Sequence, residues 1–353
     1  PSILLEPQRQ NLVTYSQDLS QWTLVNGTLT ANATVSPEGI QNSDKIAFSS
    51  VGLDLKRTVA VVAGTTYTIS FYIKVEDGTA LQGRFYDNSN TANIEYYSYD
   101  DQIIPNQWSR VTRSVTAPSG CTEMQIWLLA GSSTLVTASW WGAQFEAGSY
   151  ATSLIHTSGT AVTRSQDSAN NAGNSDLFND SEGVLYAEMK ALANDGVNRV
   201  ITIVNSLSTL NRIRLYYTTV DNRVIAEIRN SSGGILMIYN GLADVTTFNK
   251  FAVKYKNNDA ALWVNGTEVL TDTTGGVPTG LNKLVFDDGS GSDDYYGDAK
   301  SLMVFKEALS DLELAKLTGY NNHELYMNYY NRLSYLGLVE EYNVESDINN
   351  YIL

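Results

Sequence analysis

Apolar and polar residues alternate along most of this chain, and the pattern is clearest between residues 248 and 270. Residues 251–255 alternate with a period of two, which is typical of a half-buried β-strand. Two further short runs, 261–264 and 267–270, flank Asn265-Gly266, a dipeptide that favours the tight turn of a β-hairpin. The pattern therefore predicts a meander of three neighbouring strands.

The same alternation recurs before this stretch. Residues 53–62 and 67–75 alternate on either side of Ala63-Gly64, and we expect them to form a hairpin. Other predicted strands are short and bounded by polar turns; they are 83–86, 94–99, 108–115, 124–129, 135–145, 183–192, 198–205, 212–218, 223–229 and 234–239. Many short strands and few helical patterns predict an all-β fold of two antiparallel β-sandwiches (jelly rolls) in tandem.

Helical signals are confined to the end of the chain. Ser310 can cap a short helix, with Glu313 three residues later completing a capping box. Farther on, four residues lie on one helical stripe: Leu325, Tyr329, Leu333 and Leu336. We therefore expect a short, partly helical C-terminal tail that covers a sheet edge or pairs with a neighbouring chain.

The composition along the chain suggests where its domains meet. Residues 165–182 are rich in Ser, Asn, Asp and Gly, as in a linker or a crossing between domains. The chain is therefore predicted to contain a jelly roll at 1–165, a second sandwich at 166–319 and a tail at 320–353 that is a possible assembly segment.

Several phrases resemble known β-sandwich families. Trp-Val-Asn-Gly at 263–266, followed by a strand and by Leu-Ser-Asp at 309–311, resembles the laminin-G/concanavalin A-like (LamG-like) lectin sandwich. In the first half, NLVTYSQDLSQW (11–22), NQWSRVTRSVTAPSG (106–120) and GAQFEAG (142–148) resemble the carbohydrate-binding-module-like jelly roll of phage tail-fibre and other virion proteins. In those proteins the jelly roll often precedes a LamG-like domain, which is the predicted order here.

Composition and charge narrow the range of partners. Hydrophobic residues make up 43% of the chain, as in globular proteins. No apolar run approaches the roughly 18 residues of a membrane helix, so we expect no membrane insertion. The net charge of −15 opposes phosphate backbones, so we expect no nucleic acid partner. The one cysteine, Cys121, precludes an intrachain disulfide and is predicted to lie in a core.

Aromatic residues give the better candidates for a binding site. The chain has 22 Tyr and 6 Trp, whose flat apolar rings with polar edges suit the C–H faces of sugars. Neighbouring aromatic residues occur at 96–97, 140–141 and 295–296. In the first two pairs, one ring should point inward and the other outward, because side chains alternate along a strand. The alternative is that all of these rings pack cores and sheet faces. The candidate ligand-binding residues are Tyr96, Tyr97, Trp141, Tyr295 and Tyr296.

The loop at 287–294 combines four carboxylates with two glycines that lie between them. Calcium takes about six to eight oxygen ligands from carboxylates, carbonyls and water. The spacing is not that of an EF-hand, but the resemblance to LamG-like domains, which often carry calcium at a loop rim, favours such a site. A solvated acidic loop is the alternative. The candidate calcium ligands are Asp287, Asp288, Asp293 and Asp294.

The sequence offers little that predicts catalysis. It has two histidines and no Gly-x-Ser-x-Gly, His-Glu-x-x-His or P-loop motif. We therefore expect no enzyme, although a glycosidase needs only two carboxylates, and an inventory of residues does not exclude that class.

The resemblance implies a non-catalytic phage virion protein, from a tail or head fibre, that binds host-surface glycans outside the cell. It also implies a homo-oligomer, most often a trimer, with other virion proteins as partners. Two alternatives remain open. One is a structural virion or capsid decoration protein that uses its sandwiches for assembly. The other is a polysaccharide depolymerase or its ancillary binding domain.

Overall fold

The computed structural model describes residues 2–25, 27–49, 54–77, 81–130, 136–170 and 172–319. Contacts divide the chain into two compact units. Pro7–Gln166 form one unit, here called the first sandwich, and the second sandwich is built from residues before Pro7 and from Asp167 onward. The predicted tail at 320–353 lies outside the described residues. Within them, no helix is long and apolar enough to cross a membrane.

Strands dominate the first half of the chain, together with two 3₁₀ turns at Leu19–Gln21 and Asp100–Gln102. In chain order the strands are β1 (Ile3–Leu5), β2 (Arg9–Asn11), β3 (Thr23–Leu24), β4 (Gly27–Val35), β5 (Gln41–Phe48), β6 (Asp54–Ala60), β7 (Thr66–Asp77), β8 (Leu81–Asp87), β9 (Ala92–Ser98), β10 (Ser109–Thr116), β11 (Glu123–Ala130), β12 (Thr137–Ala147) and β13 (Val162–Arg164).

The second half continues with strands and ends in an α-helix. In chain order these elements are β14 (Glu182–Ala191), β15 (Arg199–Asn205), β16 (Ser208–Tyr217), β17 (Val224–Asn230), β18 (Gly233–Tyr239), β19 (Asn249–Lys256), β20 (Ala260–Val264), β21 (Thr267–Asp272), β22 (Lys283–Val285), β23 (Gly297–Phe305) and α1 (Asp311–Thr318).

The first sandwich packs two five-stranded antiparallel sheets against each other. Sheet 1 has the order β10-β7-β12-β5-β4, and sheet 2 has the order β3-β6-β11-β8-β9. The core between them contains Phe71, Phe85, Trp140 and Phe145. Cys121 belongs to the same core, which confirms its predicted place.

The predicted hairpin of residues 53–62 and 67–75 is wrong. Both strands form, but β6 pairs with β3 and β11 in sheet 2, whereas β7 pairs with β10 and β12 in sheet 1. A turn at Val62–Thr65, with Gly64 at a φ of 80°, carries the chain from one sheet to the other. Alternation predicts which face of a strand is buried. It does not predict the sheet to which the strand belongs, because strands of both sheets pack their apolar faces on the same core.

The outer face of sheet 1 is covered by the chain itself. Residues 148–157 run across it, and beneath them Gln144 and Glu146 are fully buried. The Glu146 carboxylate accepts hydrogen bonds from the backbone N–H and the hydroxyl of Thr152 and from Nε2 of Gln144. These buried polar groups therefore satisfy one another beneath residues 148–157.

The second sandwich also has two antiparallel sheets. Sheet 3 has the order β1-β23-β14-β19-β20-β21, and sheet 4 has the order β18-β17-β16-β15-β22. The predicted meander is confirmed as β19, β20 and β21, with Asn265 and Gly266 both at positive φ in the turn. Strand β1 pairs with β23, so residues 3–5 belong to this sandwich rather than to the first domain predicted at 1–165. The all-β prediction of antiparallel sandwiches in tandem is confirmed.

Helix α1 covers the outer face of sheet 3. Leu314 and Leu317 pack on Tyr186 and Trp263 in a separate small core. The predicted capping box is present: Ser310 accepts a hydrogen bond from the Glu313 N–H, and the Glu313 carboxylate accepts one from the Ser310 N–H. The capping box thus fixes the start of α1 at a position from which its apolar residues pack on sheet 3.

Candidate functional site

The outer face of sheet 2 is the open face of the first sandwich. Along β11, Met124, Ile126 and Leu128 are buried in the core, while the alternate residues Gln125 and Trp127 are partly exposed on the other side. The same division holds on β8, where buried and partly exposed side chains alternate throughout. Polar and aromatic side chains therefore collect on the outer side.

Strand register places four of these outward side chains in one row. Lys56 lies opposite Trp127, Trp127 opposite Arg84, and Arg84 opposite Tyr96, on strands β6, β11, β8 and β9. Neighbouring strands are about 4.8 Å apart, so the row is roughly 15 Å long. In the adjacent row, Tyr86 lies between Gln125 and Asn93. We call this surface the aromatic face; its residues are Lys56, Arg84, Tyr86, Tyr96 and Trp127.

Arg84 lies at the centre of the aromatic face. Its guanidinium carbon is 4.2 Å from the ring centre of Trp127, 4.4 Å from that of Tyr86 and 5.0 Å from that of Tyr96. The Lys56 ammonium lies 4.8 Å from the Trp127 ring centre. Such cation–π contacts contribute about 0.5–1 kcal/mol each at exposed sites, which fixes the rings and the cation relative to one another.

Hydrogen bonds with neighbouring polar side chains also fix Trp127 and Arg84. The Trp127 Nε1–H donates to Oε1 of Gln125 at 2.9 Å, and Nε2 of Gln125 donates to Oδ1 of Asn88 at 2.9 Å. The Arg84 Nε–H donates to Oδ1 of Asn93 at 2.9 Å. The aromatic face is thus ordered before any ligand arrives, which lowers the entropic cost of binding.

Among the predicted ligand-binding residues of the first sandwich, Tyr96 alone lies on the aromatic face, with 59% of its surface exposed. Tyr97 is 8% exposed and packs in the core against Phe85 and Tyr99. Burial raises the pKa of Tyr97 well above its ordinary value. Its predicted ligand role is therefore corrected: it faces inward, as the alternation of Tyr96-Tyr97 requires.

Trp141 also needs correction as a ligand-binding residue. It points away from the core, as predicted for one of the two neighbouring tryptophans, but it is only 4% exposed. Tyr72 and His156 cover its ring, at ring-centre distances of 5.4 and 5.8 Å. Residues 148–157, which include His156, lie over sheet 1 and leave the Trp141 ring inaccessible to a ligand. The periodicity of the sequence does not reveal this cover.

The aromatic pair of the second sandwich splits between core and surface. Tyr295 is 1% exposed, and its hydroxyl donates to the carbonyl oxygens of Lys190 and Asp298. Its predicted ligand role is corrected, since its ring lies in the core against Phe286. Tyr296 is half-buried, and its hydroxyl donates to Oδ2 of Asp294 at 2.8 Å.

The four predicted calcium ligands do not fit a common ion. Asp287 is buried and accepts the Gly289 N–H, while Asp288 accepts the N–H groups of Ser290 and Ser292. Although burial raises it, the pKa of Asp288 is lowered overall by these hydrogen bonds and by the charge of Arg214. Elsewhere in the loop, Asp293 accepts from Asn198 and Asp294 from Tyr296. Within the described residues no three acidic, His or Cys side chains converge as a metal site. These contacts do not test the calcium prediction, which stays a prediction.

A cavity of about 540 Å³ opens at one end of the second sandwich. Asn179, Asn205, Asn282 and Lys306 line it, and Asp180 is the one carboxylate among its lining residues in the described chain. Both Asp180 oxygens accept backbone N–H groups, from Gly280 and Leu281. Glycoside hydrolysis uses two facing carboxylates, and this cavity does not present such a pair.

His156 lacks the surroundings of a catalytic base. Its Nε2 is 2.9 Å from Oε1 of Glu38, and its ring stacks edge-on against Trp141. Among the described residues, no hydroxyl or thiol is hydrogen-bonded to His156, and its contacts are those of a residue that covers sheet 1 beside Trp141. The other histidine, His323, lies outside the described residues.

Sequence reasoning missed most of the aromatic face. Trp127, Tyr86 and Arg84 belong to strands that were predicted correctly, and alternation could have placed Trp127 on the side opposite Met124 and Ile126. The order of strands in sheet 2 brings these side chains together, and no local pattern encodes that order.

Comparison with known proteins gives similarity of fold only. No family model and no curated protein matches the chain. Solved structures with similar folds include a CBM40 of the Ruminococcus gnavus IT-sialidase, with 18% identity over 43% of this chain and 95% of that chain (TM-score 0.36). The mouse laminin α1 domains LG4-5 have 11% identity over 76% and 91% of the two chains (TM-score 0.29). The enzymatically active domain of bacteriophage CBA120 tailspike protein 4 has 17% identity over 39% of this chain and 21% of that chain (TM-score 0.31). We take no ligand or activity from these distant similarities.

Proposed function

We propose that the aromatic face of the first sandwich binds carbohydrate and that the chain is a non-catalytic glycan-binding protein. The observation that carries the proposal is the row of Lys56, Trp127, Arg84 and Tyr96 across four strands of the open sheet. Flat rings offer an apolar surface to the C–H faces of a sugar, and the neighbouring cations and amides can bind its oxygens.

Three features favour sugar over a protein partner at this face. The rings are interleaved with polar groups rather than forming a continuous apolar patch, which is what an amphipathic, hydroxyl-rich ligand requires. The side chains are held by cation–π contacts and by hydrogen bonds such as that of Trp127 with Gln125. The row is roughly 15 Å long, so an extended oligosaccharide can contact several side chains at once.

The described residues give no support to the depolymerase alternative. Five carboxylates are buried in the part of the chain that the structure describes. Four of these accept hydrogen bonds from backbone N–H groups or amides of their own sandwich: Asp44, Asp87, Glu146 and Asp287. No facing pair lines the described cavity. We therefore propose binding without hydrolysis.

We further propose that the chain acts outside the cell as part of a phage virion, in a tail or head fibre. Sugar binding by one site is usually weak, since polar groups on both partners must first lose water. Repeated copies on a particle overcome this weakness through a high effective concentration. A homo-oligomer, in particular a trimer, suits such a role. Light scattering on the full chain tests this state, and a monomer at all concentrations would contradict it.

Assembly within the virion is the second candidate function, favoured by the outer face of sheet 4. On edge strand β18, Leu236 is 53% and Ile238 is 41% exposed, and Ile238 lies in one row with Ile225 and Tyr216. An exposed apolar edge strand is a typical site for contact with another chain. If this face assembles particles, Ile238→Lys should reduce oligomer formation while leaving the affinity of each single sugar site unchanged.

A glycan array tests the proposed function. The full chain should bind a defined subset of glycans, and Trp127→Ala should weaken that binding at least tenfold, about 1.4 kcal/mol. Trp108→Ala is the matched control, because Trp108 is another partly buried tryptophan of the first sandwich whose Nε1–H donates to Val35, away from the aromatic face. Absence of binding to every glycan, or equal loss with both variants, would contradict glycan recognition by this face.

A further inference from the structure

We propose that Arg84 makes the aromatic face selective for sugars that carry a carboxylate, such as uronic or sialic acids. The inference rests on the proposed function, because it specifies the class of glycan that the same face binds. It starts from the charge of Arg84, which pairs with no carboxylate among the described residues. By contrast, Arg199 pairs with Asp195 and Arg212 with Glu227.

The Arg84 guanidinium retains most of its hydrogen-bonding capacity. Its Nε–H donates to Oδ1 of Asn93. Its other contacts within the described chain are with the faces of Tyr86, Tyr96 and Trp127. Both Nη atoms, which carry the remaining N–H donors of the planar fork, are therefore available to a ligand.

That fork is held in position before a ligand binds. The three rings surround the guanidinium at 4.2–5.0 Å, and Asn93 fixes its Nε side. Arginine stacks well on aromatic faces and binds a carboxylate through two parallel N–H···O bonds. A sugar hydroxyl can accept one of these hydrogen bonds, but it lacks the charge and the second oxygen, so a carboxylate gains more from this geometry.

The surrounding charges favour an anion at this place. The Lys56 ammonium lies on the same row, over the Trp127 ring. Glu123 is on the same strand as Trp127, four residues and roughly 13 Å away, and it accepts a hydrogen bond from Asn88. The protein carries a net charge of −15, but at physiological salt that repulsion is screened beyond about 8 Å. Arg84 therefore places a positive charge without a carboxylate partner among the described residues at the centre of the aromatic face of an acidic protein.

The aromatic rings distinguish a sugar acid from a free anion. Inorganic phosphate or sulfate could use the guanidinium fork, but neither has an apolar face for Trp127 and Tyr96. In uronic and sialic acids the carboxylate is bonded directly to the sugar ring. One residue of such a sugar can therefore contact the fork and an aromatic ring together.

The test compares acidic oligosaccharides with their methyl esters, which keep the sugar ring and remove the charge. Calorimetric titration of the full chain would use galacturonate, glucuronate and sialylated oligosaccharides, each beside its ester, with sulfated lactose and inorganic phosphate as further probes. At least one free acid should bind tenfold or more tightly than its ester. Sulfated lactose and phosphate should bind more weakly than that acid.

Arg84→Gln should remove the preference by weakening the acid at least tenfold and changing the affinity for the ester less than twofold. Arg223→Gln removes the same charge from a half-buried arginine of the second sandwich and should change neither affinity. An unchanged melting temperature of Arg84→Gln would show that the fold is intact.

The outcomes separate this inference from the function on which it rests. If neutral glycans or esters bind as tightly as the acids, or if Arg84→Gln keeps the preference, the selectivity is wrong while glycan binding stands. If sulfated lactose binds best, the site recognises any anionic sugar rather than a carboxylate, and the inference is again wrong. If no glycan binds, acidic or neutral, the proposed function itself fails.

Discussion

Gly83 lies on the inner side of sheet 2, on the opposite face of the sheet from the aromatic face. It lies opposite Tyr97 on the inner side of sheet 2, and the Tyr97 ring lies against its backbone. A Cβ atom at this position would be 2.2 Å from Cε2 of Tyr97. Glycine is required at this position because the Tyr97 ring leaves no room for a side chain. The next residue along the strand, Arg84, lies on the outer face and carries the positive charge of the aromatic face.

Gly83→Ala should lower the free energy of unfolding by about 1–3 kcal/mol, the usual cost of overpacking a core. Chemical denaturation measures this change. Gly233→Ala is the control, because a Cβ there meets no atom within 4 Å, and its effect should stay within about 0.5 kcal/mol. Equal effects of the two substitutions would show that Tyr97 does not pack on Gly83 as described.

Cys121 gives a pH dependence that can be measured. Burial, with the negative charge of Asp87 beside it, raises the pKa of its thiol from 9.0 to about 11. Between these values the unfolded chain loses the proton while the folded chain keeps it, so stability is retained below pH 9 and falls as pH rises toward 11.

Urea denaturation should show this fall for the wild type between pH 9 and 10. In Cys121→Ser the slope over the same interval should be shallower, because serine does not titrate there, whereas the tyrosines common to both proteins contribute equally. Parallel pH profiles would mean that the Cys121 thiol is not protected from ionisation.

At the scale of elements, alternation predicted which residues form strands far better than which strands are neighbours. Strands β6 and β7 both form close to the predicted positions, yet they lie in different sheets. Local periodicity reports burial of one face, whereas pairing is decided by contacts between segments far apart in sequence. Helix α1 was predictable, since its capping box lies within four residues.

Ser310→Ala should destabilise α1, because loss of a capping side chain costs about 0.5–2 kcal/mol. Hydrogen exchange of the helix amides should become faster, and the effect should extend to the sheet 3 residues that Leu314 and Leu317 cover. Glu313→Gln preserves the capping box and should exchange almost as the wild type does. If both variants exchange alike, the cap does not stabilise the helix.

At the scale of the whole molecule, the sequence predicted the sandwich architecture but little of the site. Tyr96 was found because adjacent aromatic residues drew attention to it. Tyr97, Trp141 and Tyr295 were chosen for the same reason, but packing buries them. The aromatic face depends on the order of four strands, and the cover over Trp141 depends on a segment without regular structure, so neither could be read from local patterns.

Calcium should leave the thermal stability of the whole chain unchanged. The carboxylates of the 287–294 loop already accept hydrogen bonds from within the second sandwich, and they do not converge on a common point. A bound ion would raise the melting temperature by mass action. A reproducible rise with added calcium, reversed by a chelator, would confirm the calcium prediction and contradict the expectation of an unchanged melting temperature.

The most direct measurement is a crystal structure of the chain with the glycan that binds best in the array. We expect sugar density on the outer face of sheet 2, with a ring against Trp127 or Tyr96 and oxygens within hydrogen-bond distance of the Nη atoms of Arg84. Density in the cavity beside Asn205 and Asn282, or over any surface other than the aromatic face, would contradict the central claim.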